Sequence, residues 1–293
     1  KTIFTLALLS FCLLTLSYVQ AETGFVVTSQ QPIVWPQIKA SSAIVYDPIS
    51  SKILYQKDAD TVRPIASLGK LMTASVSDTI LRWSTQMSST PIKIKKGYEF
   101  DSADKVLKDG TLWNPADLIS YMLVGSSNKA AEQLASSLVD RNVFMSLMNY
   151  QARQWGLTRT TFNNPSGLTE KVNGKEVAGA SSSAKEVALM MWHIIENHPN
   201  LLDSTRVQQA SFSADNSATI TIKNTNTLLS ELPIIFGKTG FTEQAGGNLA
   251  VVVQKNAQSH PYVIVVLGST LTDRFTDVQA LASTSKQLLT YQH

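Results

Sequence analysis

Ser67 and Lys70 stand three residues apart in the run Ser67-Leu68-Gly69-Lys70, and Leu68, Leu71, Met72 and Val76 have helical spacing. On a helix over Ser67 to Arg82 that separation brings the lysine amine beside the serine hydroxyl. A serine is a weak nucleophile until a base takes its proton. A lysine is such a base only when neutral, so burial or a neighbouring positive charge must lower its pKa from ~10.4. Taken alone the pair is commonplace, because many solvated helix faces carry SxxK by chance.

Two more patterns follow in order. Ser126-Ser127-Asn128 falls where a helix breaks, so a hydroxyl and an amide can project into a cleft, one to relay a proton and the other to bond a carbonyl. The same residues read as a plain N-cap, with a serine satisfying the first turn of the next helix. Lys238-Thr239-Gly240 ends the apolar run Ile234-Ile235-Phe236: a positive charge on a strand, with a glycine that lets another backbone approach. A strand end with a solvated lysine has the same appearance. Phe241 and Thr242 come directly after, and the Phe241 N–H can join that of Ser67 as an oxyanion hole.

Other chemistries lack their residues. Cys12 is the only cysteine and lies in an N-terminal apolar run, so disulfide, thiol and thiolate-metal chemistry are not expected. His193, His198, His260 and His293 form no i, i+4 pair and no HExxH, so no metal is expected, and nothing calls for a cofactor. A net charge of +3 without a basic stripe argues against nucleic acid. Hydroxyls, amines and amides remain.

These groups need a scaffold. Ser42–Asp47 and Lys52–Lys57 alternate apolar and polar residues around a Pro48-Ile49-Ser50-Ser51 turn, which predicts a β-hairpin. Asn114-Pro115 opens a helical stretch; Asn128–Leu138, Val143–Trp155 (stopped by Gly156) and Ser183–Glu196 continue it. Ala218–Lys223, Ile234–Thr239, Asn248–Lys255 and Tyr262–Gly268 read as strands, and Asp273–Leu289 as a closing helix. One sheet assembled from both ends of the chain, with a helical lobe inserted, satisfies this order. The expected class is α/β (α+β).

Lys1, the apolar run Ile3–Leu16 and Val19-Gln20-Ala21 have the form of a secretory signal peptide cleaved after Ala21. Residues 22–40 read as a loose leader and 41–293 as one domain.

SxxK, an SDN-like triplet and KTG in this order resemble the signature of class A β-lactamases and penicillin-binding proteins. More closely, the chain resembles the low-molecular-mass penicillin-binding proteins, the D-alanyl-D-alanine peptidases of family S11. Tyr46-Asp47-Pro48, Lys52 to Tyr55, Arg63 to Ala74, Asn163 to Leu168, Gly237 to Thr242 and Val265 to Gly268 are similar to segments of that family, so the likeness runs from Ser41 to about Leu289. It implies a β-lactamase/D,D-peptidase-like fold, a five-stranded antiparallel sheet flanked by helices. It implies an acyl-enzyme on Ser67, with Lys70 accepting the proton, Ser126 relaying one to the leaving amine and Asn128 holding the substrate amide. Lys238 would supply charge and help to keep Lys70 neutral. Thr239, Gly240, Phe241 and Thr242 would line the site. The implied partners are peptidoglycan stem peptides, with β-lactams as covalent inhibitors, and the implied location is the periplasm or outer face of a bacterial envelope. No stable membrane anchor is expected with the sequence ending at His293, and nothing in it bears on oligomeric state.

The likeness has departures. Ser127 and Lys129 stand where many carboxypeptidases of the family have the glycine and aspartate of SGND, which adds bulk at a tight turn and reverses a charge. Phe241 replaces a frequent histidine. His260 and Pro261 occupy the expected place of an arginine that binds the substrate's terminal carboxylate, which weakens the expectation of strict carboxypeptidase action. The TGFT run and Asn224-Thr225-Asn226 are similar instead to the short D,D-endopeptidases. A class A-like β-lactamase would need a glutamate in the 163–177 loop, where Glu170 and Glu176 lie without an ExxLN run. A non-catalytic cell-wall binding protein on the same fold would not need Ser67, Lys70, Asn128 and Lys238 together.

Overall fold

In antiparallel sheets a strand covered on both faces becomes apolar throughout, and the last third of the chain has such runs. The computed structural model describes residues 33–97, 102–215 and 219–290. The signal peptide expected over 1–21 lies outside them. Val34–His293 forms one compact unit.

The sheet contains β1 (Ser42–Asp47), β2 (Lys52–Lys57), β3 (Ile234–Thr242), β4 (Gly246–Val253) and β5 (Tyr262–Ser269). Their order is β3-β4-β5-β1-β2, antiparallel at every pair, and β1 joins β5 with Ser42 opposite Leu267. Both ends of the chain therefore build one sheet, as the sequence order required. The helices that matter for the site are α1 (Lys70–Trp83), α2 (Ser102–Val106), α3 (Pro115–Gly125), α4 (Asn128–Leu138), α5 (Arg141–Gln154), α6 (Ala184–Asn197) and α7 (Asp273–Thr290).

Period-two alternation divides the core. Val263, Val265 and Leu267 of β5 pack with Leu71 and Met72 of α1 and with Met191 of α6. Ile264 and Val266 point the other way, against Val278 and Leu281 of α7. Each fully buried aliphatic side chain contributes about 1.5–3 kcal/mol, which anchors the lobe to one face and α7 to the other.

The predicted elements recur with shifted ends. Ser67 lies in a 3-10 turn, Ala66–Gly69, that precedes α1. The helix predicted from Val143 starts at Arg141, because Asp140 accepts hydrogen bonds from the Asn142 and Val143 N–H groups. Ile220–Lys223 pairs with Gln209–Phe212, a strand that polar residues hid. The end of the expected leader is tied down: the Lys39 and Ala40 N–H groups donate to the Asp277 carboxylate at 2.9 and 2.8 Å. Among the described residues no helix is long and apolar enough to cross a membrane.

Candidate active site

A 3-10 turn eclipses side chains three residues apart, and this is how Ser67 and Lys70 meet. Lys70 Nζ lies 2.7 Å from Ser67 Oγ, 2.7 Å from Asn128 Oδ1 and 2.8 Å from the Ser166 carbonyl oxygen. The Lys70 side chain is fully buried, which disfavours an ammonium over an amine. The Asn128 and Ser166 oxygens only accept, so they take N–H groups, whereas the Ser67 hydroxyl can donate. The one nitrogen is thus bracketed by two fixed acceptors and the Ser67 hydroxyl.

The turn carrying Ser67 is wedged between two glycines. A Cβ on Gly240 would stand 2.8 Å from the Ile65 carbonyl oxygen and 3.2 Å from the Ser67 nitrogen. Gly167 has φ +76°, and a Cβ there would run into the Ala66 carbonyl group. Ala66 itself is left-handed at φ +48°, a conformation that costs a non-glycine residue about 1–2 kcal/mol. Leu68 and Ile65, both buried, hold the turn in place.

Ser126 and Lys238 form a second pair. Lys238, on β3 and 1% exposed, donates from Nζ to Ser126 Oγ at 2.7 Å and to the Thr239 carbonyl at 3.0 Å. Ser126 ends α3 in the left-handed region, φ 61°, ψ 26°, which turns its side chain out of the helix direction. Ser127 Oγ caps α4 by accepting from the Ala130 N–H at 3.0 Å, as the N-cap reading expects, while Asn128 Oδ1 accepts from Lys70 Nζ at 2.7 Å. Lys238 thus faces Ser126.

The remaining predicted residues cluster along β3. Thr239 Oγ1 bonds Thr225 Oγ1 at 2.6 Å, Thr242 Oγ1 accepts from Thr169 Oγ1 at 3.2 Å, and Phe241 is partly exposed. Thr225 and Ser166 were given no role from sequence, although both lie in segments similar to the family, Asn224-Thr225-Asn226 and Asn163 to Leu168. Glu170 and Glu176 are exposed on a short hairpin, Glu170–Val172 paired with Lys175–Val177.

The expected place of a carboxylate-binding arginine requires correction. His260 precedes β5 and stands 4.0 Å from Asp47 at the sheet end opposite the Ser67 turn, about 20 Å away by strand length. There it lines a cavity of about 720 Å³ with Leu232, Pro233 and Tyr262. The arginine beside the site is Arg274, in the first turn of α7, whose Nη1 donates to the Gly240 carbonyl at 2.9 Å. Its Nε is buried with no partner, and burial lowers its pKa to about 10. Only the antiparallel return of β4 and β5 brings it there, so local spacing could not reveal it.

A serine hydroxyl in contact with a buried lysine amine, with an antiparallel sheet and a helical lobe around them, is an arrangement suited to a Ser/Lys hydrolase. The profile of peptidase family S11, D-alanyl-D-alanine carboxypeptidase, matches residues 26–270, and the chain belongs to that family. A D-alanyl-D-alanine endopeptidase of Escherichia coli is 29% identical over 253 residues, 84% of this chain and 76% of that one. The carboxypeptidase DacC of the same organism is 30% identical over 264 residues, 87% of this chain and 62% of that one. Penicillin-binding protein D2 of Listeria monocytogenes, in its ampicillin-bound form, superposes with a TM-score of 0.73 at 30% identity, covering 87% of this chain and all of the other.

Proposed function

We propose that this chain hydrolyses D-alanyl bonds of peptidoglycan stem peptides through an acyl-enzyme on Ser67. The observation that carries the reading is the buried Lys70 amine, 2.7 Å from Ser67 Oγ with its two other valences taken by acceptors. As Ser67 Oγ bonds to the scissile carbonyl carbon, its proton passes to Lys70 Nζ. The carbonyl oxygen becomes an oxyanion held by the Ser67 and Phe241 N–H groups. The C–N bond then breaks, the departing amine takes the Ser126 hydroxyl proton and the proton held on Lys70 replaces it, with Lys238 positioned to steady the charge. Asn128 fixes Lys70 and binds the substrate amide; Thr239, Gly240 and Thr242 line the floor. Water then releases the acyl group and restores Ser67.

Arg274 supports recognition of a carboxylate on the leaving amino acid, whether that is a terminal D-alanine or a cross-linked residue. Its guanidinium is charged, buried and short of one acceptor. The reading thus covers both trimming and cross-link opening, with β-lactams acylating Ser67. The form of residues 1–21 supports export to the periplasm or outer face of a bacterial envelope, with 41–293 as the working domain.

Digestion of purified muropeptides, monomers beside cross-linked dimers, tests this. Release of D-alanine or of monomers, abolished by Ser67→Ala, is expected. No turnover of either substrate by the folded protein contradicts it.

A further inference from the structure

Ser127 and Lys129 are the two departures of the triplet, and both lead to one buried carboxylate. Asp104, on α2 and fully buried, accepts at a single oxygen, Oδ1, from the Ser127 hydroxyl at 2.7 Å and from the Lys129 N–H at 2.8 Å. Lys129 Nζ reaches Asp109, three residues past α2, at 2.6 Å. The segment 104–109 thus clasps the start of α4 twice. A carboxylate is well placed there, because the first turn of a helix presents free N–H groups and the positive end of its dipole.

The bulk expected at Ser127 causes no strain. Its backbone is ordinary, φ −59°, ψ 123°, and Ser126 is the left-handed residue. A non-glycine residue holds that conformation only where its surroundings impose it, at a cost of order 1–3 kcal/mol. The natural relaxation of Ser126 is to continue α3, which would swing its hydroxyl away from Lys238. Asp104 opposes this by locking the two residues that bracket Asn128.

We infer that Asp104 is a positioning residue for acylation: it holds the Ser126-Ser127-Asn128 turn so that Ser126 meets Lys238 and Asn128 meets Lys70. The inference rests on the peptidase reading above. It also explains why a serine and a lysine can stand at 127 and 129, since both donate to segment 104–109.

The test is a mutant cycle on the rate at which a fluorescent penicillin labels the protein. Asp104→Ala should slow labelling about 100-fold, and by under about 10-fold when Ser126→Ala is already present, because the two share one route. A purely structural lesion would cost the same factor in both backgrounds. Asp104→Asn keeps an Oδ1 acceptor and should fall between parent and alanine. If Asp104→Ala does not fold, the cycle is run on Asp104→Asn with the same criterion of unequal losses. Labelling of Asp104→Ala within about threefold of the parent, or equal losses in the two backgrounds, overturns the inference while leaving the peptidase reading intact. A parent that takes no label overturns both.

Discussion

Lys238 and Ser126 are 112 residues apart in sequence and 2.7 Å apart in space, the strand lysine donating to a hydroxyl at the broken end of α3. This contact couples the sheet to the helical lobe at the point where charge must be managed during amide cleavage. Lys238→Ala should reduce acylation by about 10²–10³-fold, the usual cost of removing a fixed donor from such a site. Stopped-flow labelling with a chromogenic β-lactam checks it; a change under about threefold would leave the contact without a catalytic role.

Arg274 should discriminate between a free and a blocked carboxylate. With an acylated D-Ala-D-Ala peptide as free acid and as C-terminal amide, the parent should prefer the acid by about 10–100-fold in kcat/KM. Arg274→Ala should nearly erase that preference. The comparison within one variant cancels any general loss from the broken bond to Gly240.

The hairpin, α4, β5 and α7 could be read from sequence because each has strong periodicity, and α3 because Asn114-Pro115 marks its start; the cap at Asp140 was missed, which put the start of α5 two residues late. The Ser67–Lys70 pair was visible for the same reason: its geometry is local. Arg274, Asp104 and the Ser166 carbonyl were not, because their positions depend on chain returns of 34, 23 and 96 residues respectively, to Gly240, Ser127 and Lys70. The arginine's place was expected at His260 and Pro261, just before β5, but an antiparallel strand carries its two ends to opposite edges.

Stability should fall in alkali through Tyr262. Burial raises its pKa to about 12 from 10.0, so the folded state keeps a proton that the unfolded chain loses. The contribution is fully present below pH 10 and is lost as pH rises from 10 to 12, by about 2–3 kcal/mol. Urea unfolding of the parent and of Tyr262→Phe at pH 9 and 11.5 should show a smaller decline in the variant. Parallel declines contradict the assignment.

Asp277 should matter for folding and little for chemistry. It accepts from the Lys39 and Ala40 N–H groups and from the Ser269 hydroxyl, tying the chain before β1 to α7. Asp277→Ala strands these donors and should cost about 2–4 kcal/mol. A lowered Tm with the penicillin acylation rate within about threefold of the parent is the expected pair of results.

The central claim is that a neutral Lys70 removes the Ser67 proton. Intact-mass spectrometry after exposure to penicillin, comparing the parent, Ser67→Ala and Lys70→Ala, tests it most directly. The account predicts a single adduct on the parent, none on Ser67→Ala, and labelling of Lys70→Ala slowed by about 10⁴–10⁶-fold. An adduct that persists on Ser67→Ala, or a Lys70→Ala protein that acylates at the parent's rate, would contradict it.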